Sequence, residues 1–186
     1  TLNQPGTRLP SHCDMKLTTG IDMTAGSLGQ GLSAAVGMAL AARMERKDYR
    51  VYCIVGDGEQ QEGQIWEAGM YAAQMKLGSL TCFLDLNGQQ IDASVDEVNS
   101  LLDAGEKWRA FGWNVIETDG NDVDAVEKAL RQAQENRGSG RPTVVIAVTT
   151  KGKGVSFMEN DILWHYRTPQ GEEYDAALAE LEAQRP

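Results

Sequence analysis

Short apolar runs rich in β-branched residues alternate with segments of helical spacing along this chain, and this alternation most constrains its fold. The first run ends at Gly56-Asp57-Gly58, which is a turn signal. Strands that alternate with helices of about a dozen residues are typical of βαβ units. The pattern therefore predicts an α/β fold built on a doubly wound, mostly parallel sheet. The predicted strands are 50–55, 80–86, 113–117 and 143–149.

The segments between these runs predict helices, and residues 1–20 predict an ordered loop. Ser27 is the predicted N-cap of the first helix. The predicted helices are 28–46, 62–75, 101–111, a helix capped by Asn121 or Asp122 that runs to 137, and 169–185. No repeat or second domain is visible, so we expect residues 1–186 to form a single domain. The chain starts at Thr1 rather than at a methionine, so we also expect a lead-in before it.

The charge balance argues against two classes of partner. The chain has 186 residues, with 17 Lys and Arg against 27 Asp and Glu, which gives a formal net charge of −10. A nucleic-acid surface needs clustered positive charge, and so does docking on an anionic membrane. The most apolar segment, 32–42, is too short to span a bilayer. We therefore expect neither a nucleic acid nor a membrane as a partner.

Cysteine usage points to a reducing compartment. The three cysteines, Cys13, Cys53 and Cys82, are odd in number and sparse, unlike a disulfide framework. No secretory signal is present. These features predict a cytoplasmic protein.

Two predicted strands end in polar loops that carry oxygen ligands. Asp57 follows the first strand and Asn87 follows the second, with a single helix between the strands. Ligands bind at the carboxyl ends of the strands in open parallel sheets. Carboxylate, amide and carbonyl oxygens suit Mg²⁺, so Asp57, Asn87 and the backbone carbonyl of Gln89 form a candidate site that phosphate and water would complete. An ordinary Gly-Asp-Gly turn is the competing interpretation.

The motifs as a set resemble the transketolase family. Gly56-Asp57-Gly58 followed by Asn87 looks like the motif of enzymes that use thiamine diphosphate. The segments 26–32, 56–68 and 87–92 are similar to transketolase, and 151–159 with Trp164-His165 resembles the N-terminal subunit of split transketolases. The resemblance runs from about residue 9 to 169. It implies thiamine diphosphate and Mg²⁺ as cofactors in a diphosphate-binding domain.

The resemblance assigns cofactor roles to individual residues. Asp57, Asn87 and the Gln89 carbonyl would hold Mg²⁺, which grips the diphosphate of the cofactor. The resemblance also places Gly56, Gly58 and Glu59 along the diphosphate. Gly26 and Leu28 would lie around the thiamine rings, and Lys151 and His165 would lie on the diphosphate side.

Each of the three implied catalytic residues has a competing interpretation or a departure from the family pattern. His165 would face the diphosphate and the substrate, although a histidine can equally be a surface residue. His12 matches a histidine at the substrate entrance, but Ser11-His12-Cys13 stands where the family has Gly-His-Pro. Glu62, with Glu67, matches acidic residues that link two active sites at a subunit interface, or else it is a solvated helix start.

The resemblance also implies a partner. In the family, a glutamate on a separate pyrimidine-binding domain protonates the aminopyrimidine ring. We therefore expect that domain and the C-terminal domain on a second chain, in a heterotetramer that moves a two-carbon ketol unit between sugar phosphates of the pentose phosphate type. We expect this chain to be inactive alone.

Two other functions compete with this interpretation. Another thiamine diphosphate enzyme, such as 1-deoxyxylulose-5-phosphate synthase or a 2-oxo acid dehydrogenase subunit, shares Gly-Asp-Gly and the spaced asparagine. A non-catalytic cofactor-binding remnant is the second. An unrelated nucleotide-binding domain is disfavoured because neither a P-loop nor a Gly-x-Gly-x-x-Gly after the first strand is present.

Overall fold

Parallel strands form the centre of the computed structural model, which describes residues 2–185. The four strands of the sheet lie in the order β1-β2-β4-β3, and every neighbouring pair is parallel. The predicted α/β class with a parallel sheet is therefore confirmed. Thr1, on which the expectation of a lead-in depends, lies outside the described residues. The strands are β1 (Val51–Gly56), β2 (Leu80–Leu86), β3 (Asn114–Asp119) and β4 (Thr143–Val148).

Helices cover both faces of this sheet. The α-helices are α1 (Gln30–Met44), α2 (Gly63–Gln74), α3 (Val95–Asn99), α4 (Ala104–Ala110), α5 (Val123–Glu135) and α6 (Glu172–Ala183). Short 3-10 helices span Gly58–Gln61, Asn136–Ser139 and Ile162–His165.

The alternation of side chains along β4 shows how the two faces are used. Val144 and Ile146 point into the larger core, which α1, α2 and α4 cover with residues such as Leu32, Ile65 and Trp108. Val145 points the opposite way, into a smaller cluster beneath α5. Successive strand residues face opposite sides of a sheet, so this pattern requires apolar cover on both. The doubly wound arrangement is thereby confirmed.

The start of α1 differs from the sequence prediction. The helix begins at Gln30, its N-cap is Gly29 with φ 81°, and no side-chain cap forms, so the predicted cap at Ser27 is wrong. Gly29 adopts a left-handed conformation, which glycine reaches without a Cβ clash. Its N–H donates to the Glu59 carboxylate at 2.9 Å, a contact distant in sequence that capping rules do not consider.

Other helix boundaries also differ from the predicted ones. The predicted helix 101–111 is α4, which begins at Ala104 because the Asp103 side chain accepts a hydrogen bond from the N–H of Glu106. The Asp122 cap of α5 is confirmed, since its carboxylate accepts from the N–H groups of Asp124 and Ala125. Within residues 2–185, no helix is both long and apolar enough to cross a membrane.

Candidate metal and cofactor site

The site residues gather where β1 and β2 end side by side. Gly56 pairs with Asp85 in the parallel register, and the N–H of Asp57 donates to the Asp85 carbonyl at 3.1 Å. The loop after β1 and the loop after β2 are therefore neighbours, as the sequence predicted. This register brings Asp57 and Asn87 to the same edge of the sheet.

The Asp57 side chain joins the two loops. Only 1% of the residue is exposed. One carboxylate oxygen accepts from the N–H of Gly58 at 2.7 Å, and the other accepts from the N–H of Gly88 at 2.5 Å. Burial raises the pKa of the Asp57 carboxyl, and these two N–H groups oppose that shift only in part. A nearby cation would offset the cost of ionising this buried group.

The Asn87 side chain has a fixed orientation. Its Nδ2 donates to Oδ2 of Asp85 at 2.9 Å, and its Oδ1 accepts from the N–H of Gln89 at 2.9 Å. The Gln89 side chain in turn donates from Nε2 to the Asn160 carbonyl at 2.6 Å. The loop after β2 is thus tied to the segment that follows β4.

Glu59 connects the loop before α1 to the end of β1. Its Oε1 accepts from the N–H of Gly29 at 2.9 Å, and its Oε2 accepts from the N–H of Gly56 at 3.0 Å. Gly58 lies against the next loop, because a Cβ on it would come 3.0 Å from Cβ of Gln90. Gly56, Gly58 and Glu59 therefore lie together beside Asp57. The predicted contact of Glu59 with a diphosphate stays a prediction, since both of its oxygens already accept backbone N–H groups.

Lys151 and His165 meet on the other side of the site. The Lys151 ammonium lies 2.9 Å from Nδ1 of His165, and the Lys151 carbonyl accepts from the N–H of Asn160. Partial burial and then the positive charge of Lys151 lower the pKa of His165. An imidazole that accepts from an ammonium is neutral, so His165 can still donate through Nε2. This pair carries a positive charge and its His165 is exposed, as a contact for an anionic group requires.

Gly26 and Leu28 belong to the loop before α1, and His12 and Glu62 lie against that loop. The His12 ring packs on Gly26, since a Cβ there would lie 2.8 Å from Cδ2 of His12. Leu28 is 58% exposed and available to a ligand or a partner. Glu62 is the exposed N-cap residue of α2, and a Cβ on Gly29 would approach its Cβ to 3.0 Å. The structure thus brings His12 beside Gly26 and Glu62 beside Gly29.

The donor set at the sheet edge fits a hard cation. Asp57 supplies a carboxylate and Asn87 an amide oxygen, and both oxygen types have a second lone pair to give. Among residues 2–185, no three His, Cys, Asp or Glu side chains cluster as a metal site. A cation here would need backbone carbonyl, phosphate and water oxygens as well, which is the usual way in which Mg²⁺ is held.

A cleft lies next to this site rather than on it. It has a volume of about 600 Å³ and is lined by the ends of β3 and β4, including Asp119, Asn121, Thr149 and Lys153. Neither Asp57 nor Asn87 lines this cleft.

Comparison with known proteins decides the family. A family model described as "Transketolase, thiamine diphosphate binding domain" matches residues 1–179. The chain belongs to the transketolase family. This confirms the resemblance read from the sequence motifs, and it identifies the domain as one that binds thiamine diphosphate.

Relatives of this transketolase domain include named subunits. It is 52% identical over 182 residues to a 6-deoxy-6-sulfo-D-fructose transketolase subunit from Clostridium sp. strain MSTE9, covering 98% of this chain and 66% of that protein. It is 41% identical over 181 residues to one of the subunits of apulose-4-phosphate transketolase from Phocaeicola vulgatus, covering 97% of this chain and 63% of that protein. The chain thus spans just under two thirds of each of these relatives.

Solved structures give the same fold. The transketolase from Campylobacter jejuni aligns with a TM-score of 0.77 at 31% identity, over 87% of this chain and 26% of that one. The transketolase from Leishmania mexicana aligns with a TM-score of 0.73 at 30% identity, over 98% of this chain and 31% of that one. The parallel sheet and its flanking helices are therefore those of a transketolase domain.

Two residues at this candidate site, Asp85 and Thr149, have no role in the sequence prediction. Asp85 contacts Asn87, and its other oxygen accepts a hydrogen bond from the Thr149 hydroxyl. The spacing of Asp85 and Asn87 was a usable signal, because side chains two apart in an extended chain point the same way. The contact with Thr149 carries no local signal, since it depends on the pairing of β2 with β4.

Proposed function

We propose that this chain is the thiamine diphosphate- and Mg²⁺-binding part of a transketolase, which transfers a two-carbon ketol unit between sugar phosphates together with a second subunit. The observation that carries the proposal is the hydrogen bond from the Gly88 N–H to the Asp57 carboxylate. It joins the two loops whose oxygens suit Mg²⁺, at the carboxyl edge of a sheet that belongs to a thiamine diphosphate-binding family.

The proposed ligands of Mg²⁺ are Asp57, Asn87 and the backbone carbonyl of Gln89. Their rigidity supports the assignment, because Asp57 and Asn87 each make two hydrogen bonds that fix the side chain. Mg²⁺ demands nearly ideal octahedral geometry, so preset oxygens lower the cost of binding. The diphosphate would be lined by Gly56, Gly58 and Glu59. Glu59 would act by holding the backbone N–H groups of Gly29 and Gly56 in place.

We propose that Lys151 and His165 contact the anionic groups of the cofactor and the substrate. When bound, the cofactor supplies a carbon nucleophile and an electron sink. The Lys151 ammonium offers positive charge to a phosphate, and a neutral His165 offers a donor at Nε2. Gly26 and Leu28 would flank the thiamine rings, and His12, packed on Gly26, would stand at the substrate entrance.

A second subunit completes the proposal. The names of the two relatives include the word subunit, which supports a partner chain. We propose that a chain with the pyrimidine-binding domain faces the exposed Glu62 and Leu28, and that two copies of each chain form a heterotetramer. On this proposal the chain alone does not turn over sugars.

For the substrate and the compartment we propose a general class. The relatives are named for apulose 4-phosphate and for 6-deoxy-6-sulfo-D-fructose, so we propose a ketose with a phosphate or sulfonate group as donor. All three cysteines are free thiols, which supports a reducing compartment such as the cytoplasm.

A ketol-transfer assay on the native assembly tests this function. The assembly is purified from its own cells through a tag on this chain. Donors would include fructose 6-phosphate, 6-deoxy-6-sulfo-D-fructose and apulose 4-phosphate, with an aldose phosphate acceptor, and pyruvate would serve as the alternative donor. We expect ketol transfer that requires thiamine diphosphate and Mg²⁺. Turnover with pyruvate alone would favour a 1-deoxyxylulose-5-phosphate synthase or 2-oxo acid dehydrogenase function, and no turnover at all would favour a non-catalytic remnant.

A further inference from the structure

The Asp85 carboxylate lies between two donors at the end of β2. Its Oδ2 accepts from Nδ2 of Asn87 at 2.9 Å, and its Oδ1 accepts from the hydroxyl of Thr149, the residue after β4. The N–H of Thr149 also donates to the Leu86 carbonyl at 3.2 Å, which fixes the position of this hydroxyl beside β2. The carboxylate is therefore held in place from the β4 side.

The chemistry of the two side chains makes their contact directional. An ionised carboxylate only accepts hydrogen bonds, whereas an amide has a donating NH₂ end and an accepting oxygen of similar size. Asp85 can therefore bind only the NH₂ end of Asn87. The amide oxygen must then point to the opposite side, where it accepts from the N–H of Gln89 at 2.9 Å.

We infer that Asp85 is a positioning residue, which sets the Asn87 amide so that its oxygen, rather than its NH₂ group, faces the cation. The inference rests on the proposed Mg²⁺ site. Without Asp85 only the Gln89 N–H still favours this orientation, so the flipped amide, which presents an NH₂ group that repels a cation, becomes more accessible. The backbone carbonyl of Asp85 also accepts from the N–H of Asp57, so the same residue contacts both proposed ligands.

The test measures Mg²⁺ affinity by calorimetry, on the native assembly stripped of metal and supplied with excess thiamine diphosphate. Asp85→Asn keeps the shape but can bind either end of Asn87. We expect it to weaken Mg²⁺ binding by about 10- to 100-fold, as is usual when a group that orients a metal ligand is lost. Asp119→Asn is the matched control, because it makes the same change at the end of β3, and we expect it to alter the affinity less than about twofold.

A paired substitution separates orientation from a merely structural role. In Asp85→Asn with Asn87→Asp, the new amide donates to a carboxylate that has oxygens at both ends. We expect this double variant to recover Mg²⁺ affinity to within about tenfold of the wild type, although Asp85→Asn alone does not. A structural role would instead be expected to leave the double variant as weak as the single one. If Asp85→Asn fails to fold, Thr149→Val loosens the same carboxylate, and we expect a loss of several-fold.

The outcomes distinguish this inference from the proposed function. If wild-type protein shows no Mg²⁺-dependent binding of thiamine diphosphate, the proposed function fails. If the wild type binds and Asp85→Asn binds equally well, only the role of Asp85 fails. A loss that disappears between 50 and 500 mM NaCl would also overturn it, because a long-range charge effect is screened by salt and an inverted amide is not.

Discussion

Gly88 donates its backbone N–H to the Asp57 carboxylate over 2.5 Å, across two loops that are far apart in sequence. The contact exists because β1 and β2 are parallel neighbours whose carboxyl ends coincide. It leaves Asp57 almost wholly buried, with a carboxyl pKa raised by that burial. A cation bound here, such as the proposed Mg²⁺, would offset the cost of ionising this buried carboxylate.

Replacement of Asp57 tests the cation site directly. Asp57→Asn removes the negative charge while keeping the shape, so we expect Mg²⁺-dependent binding of thiamine diphosphate to weaken by about 100-fold or more, beyond the usual effect of an orienting residue. Cofactor titration followed by tryptophan fluorescence of the assembly would measure the loss. Asp119→Asn, at the end of β3, serves as the control. Equal cofactor affinity in Asp57→Asn and wild type would contradict the assignment.

The loss of Glu59 should loosen the loop before α1. Glu59→Ala removes the acceptors of two backbone N–H groups, on Gly29 and Gly56, so we expect a loss of about 1–3 kcal/mol in the free energy of unfolding. Urea unfolding would measure it. Glu127→Ala removes a surface carboxylate paired with Arg131 and should cost less than about 1 kcal/mol. Similar losses in both variants would argue that Glu59 does not hold the two loops together.

Much of this architecture is readable from the sequence, because local signals coincide with the fold. The strand predicted at 80–86 has the bounds of β2, since a continuous apolar run of this length is typical of a buried strand. The short helix α3 was missed, although Ser94 and Glu97 form a capping box that the sequence displays. Five residues give too little periodicity for a helix prediction without that signal.

Only part of the candidate site could be predicted from the sequence, for a physical reason. Asp57 and Asn87 are recognisable by their position after strands, so the proximity of their two loops was predicted and found. The N-cap at Gly29 was not predicted, because its conformation depends on the Glu59 carboxylate, which comes from another loop. The Thr149 contact with Asp85 was invisible for the same reason, since strand order determines it.

Gly152, in the loop after β4, and Gly138, in the 3-10 helix before β4, make a matched pair of substitution sites. In Gly152→Ala the new Cβ would clash with the Met158 carbonyl oxygen, at a residue with φ +76°. We expect a loss of more than about 1 kcal/mol in the free energy of unfolding, because both the contact and the backbone angle are unfavourable. Gly138→Ala meets nothing within 4 Å and should be nearly neutral. Thermal unfolding of both variants provides the comparison, and equal melting temperatures would show that the loop is not packed as described.

His165 should show a lowered pKa in an NMR titration. The chain has only two histidines, so His12→Gln assigns both signals. We expect the midpoint for His165 to lie below its ordinary 6.5 and to rise in Lys151→Met, because the neighbouring positive charge is gone. The folded state favours neutral His165. Its contribution to the free energy of unfolding is therefore present above pH 6.5 and is lost as the pH falls through the lowered pKa. An unchanged midpoint in Lys151→Met would contradict the pairing of these residues.

Native mass spectrometry of the assembly, purified through a tag on this chain, tests whether the chain holds thiamine diphosphate and Mg²⁺ beside a second subunit. We predict two copies of this chain, two of a larger partner and two bound thiamine diphosphate–Mg²⁺ units. A monomer or homodimer that carries no cofactor would contradict it.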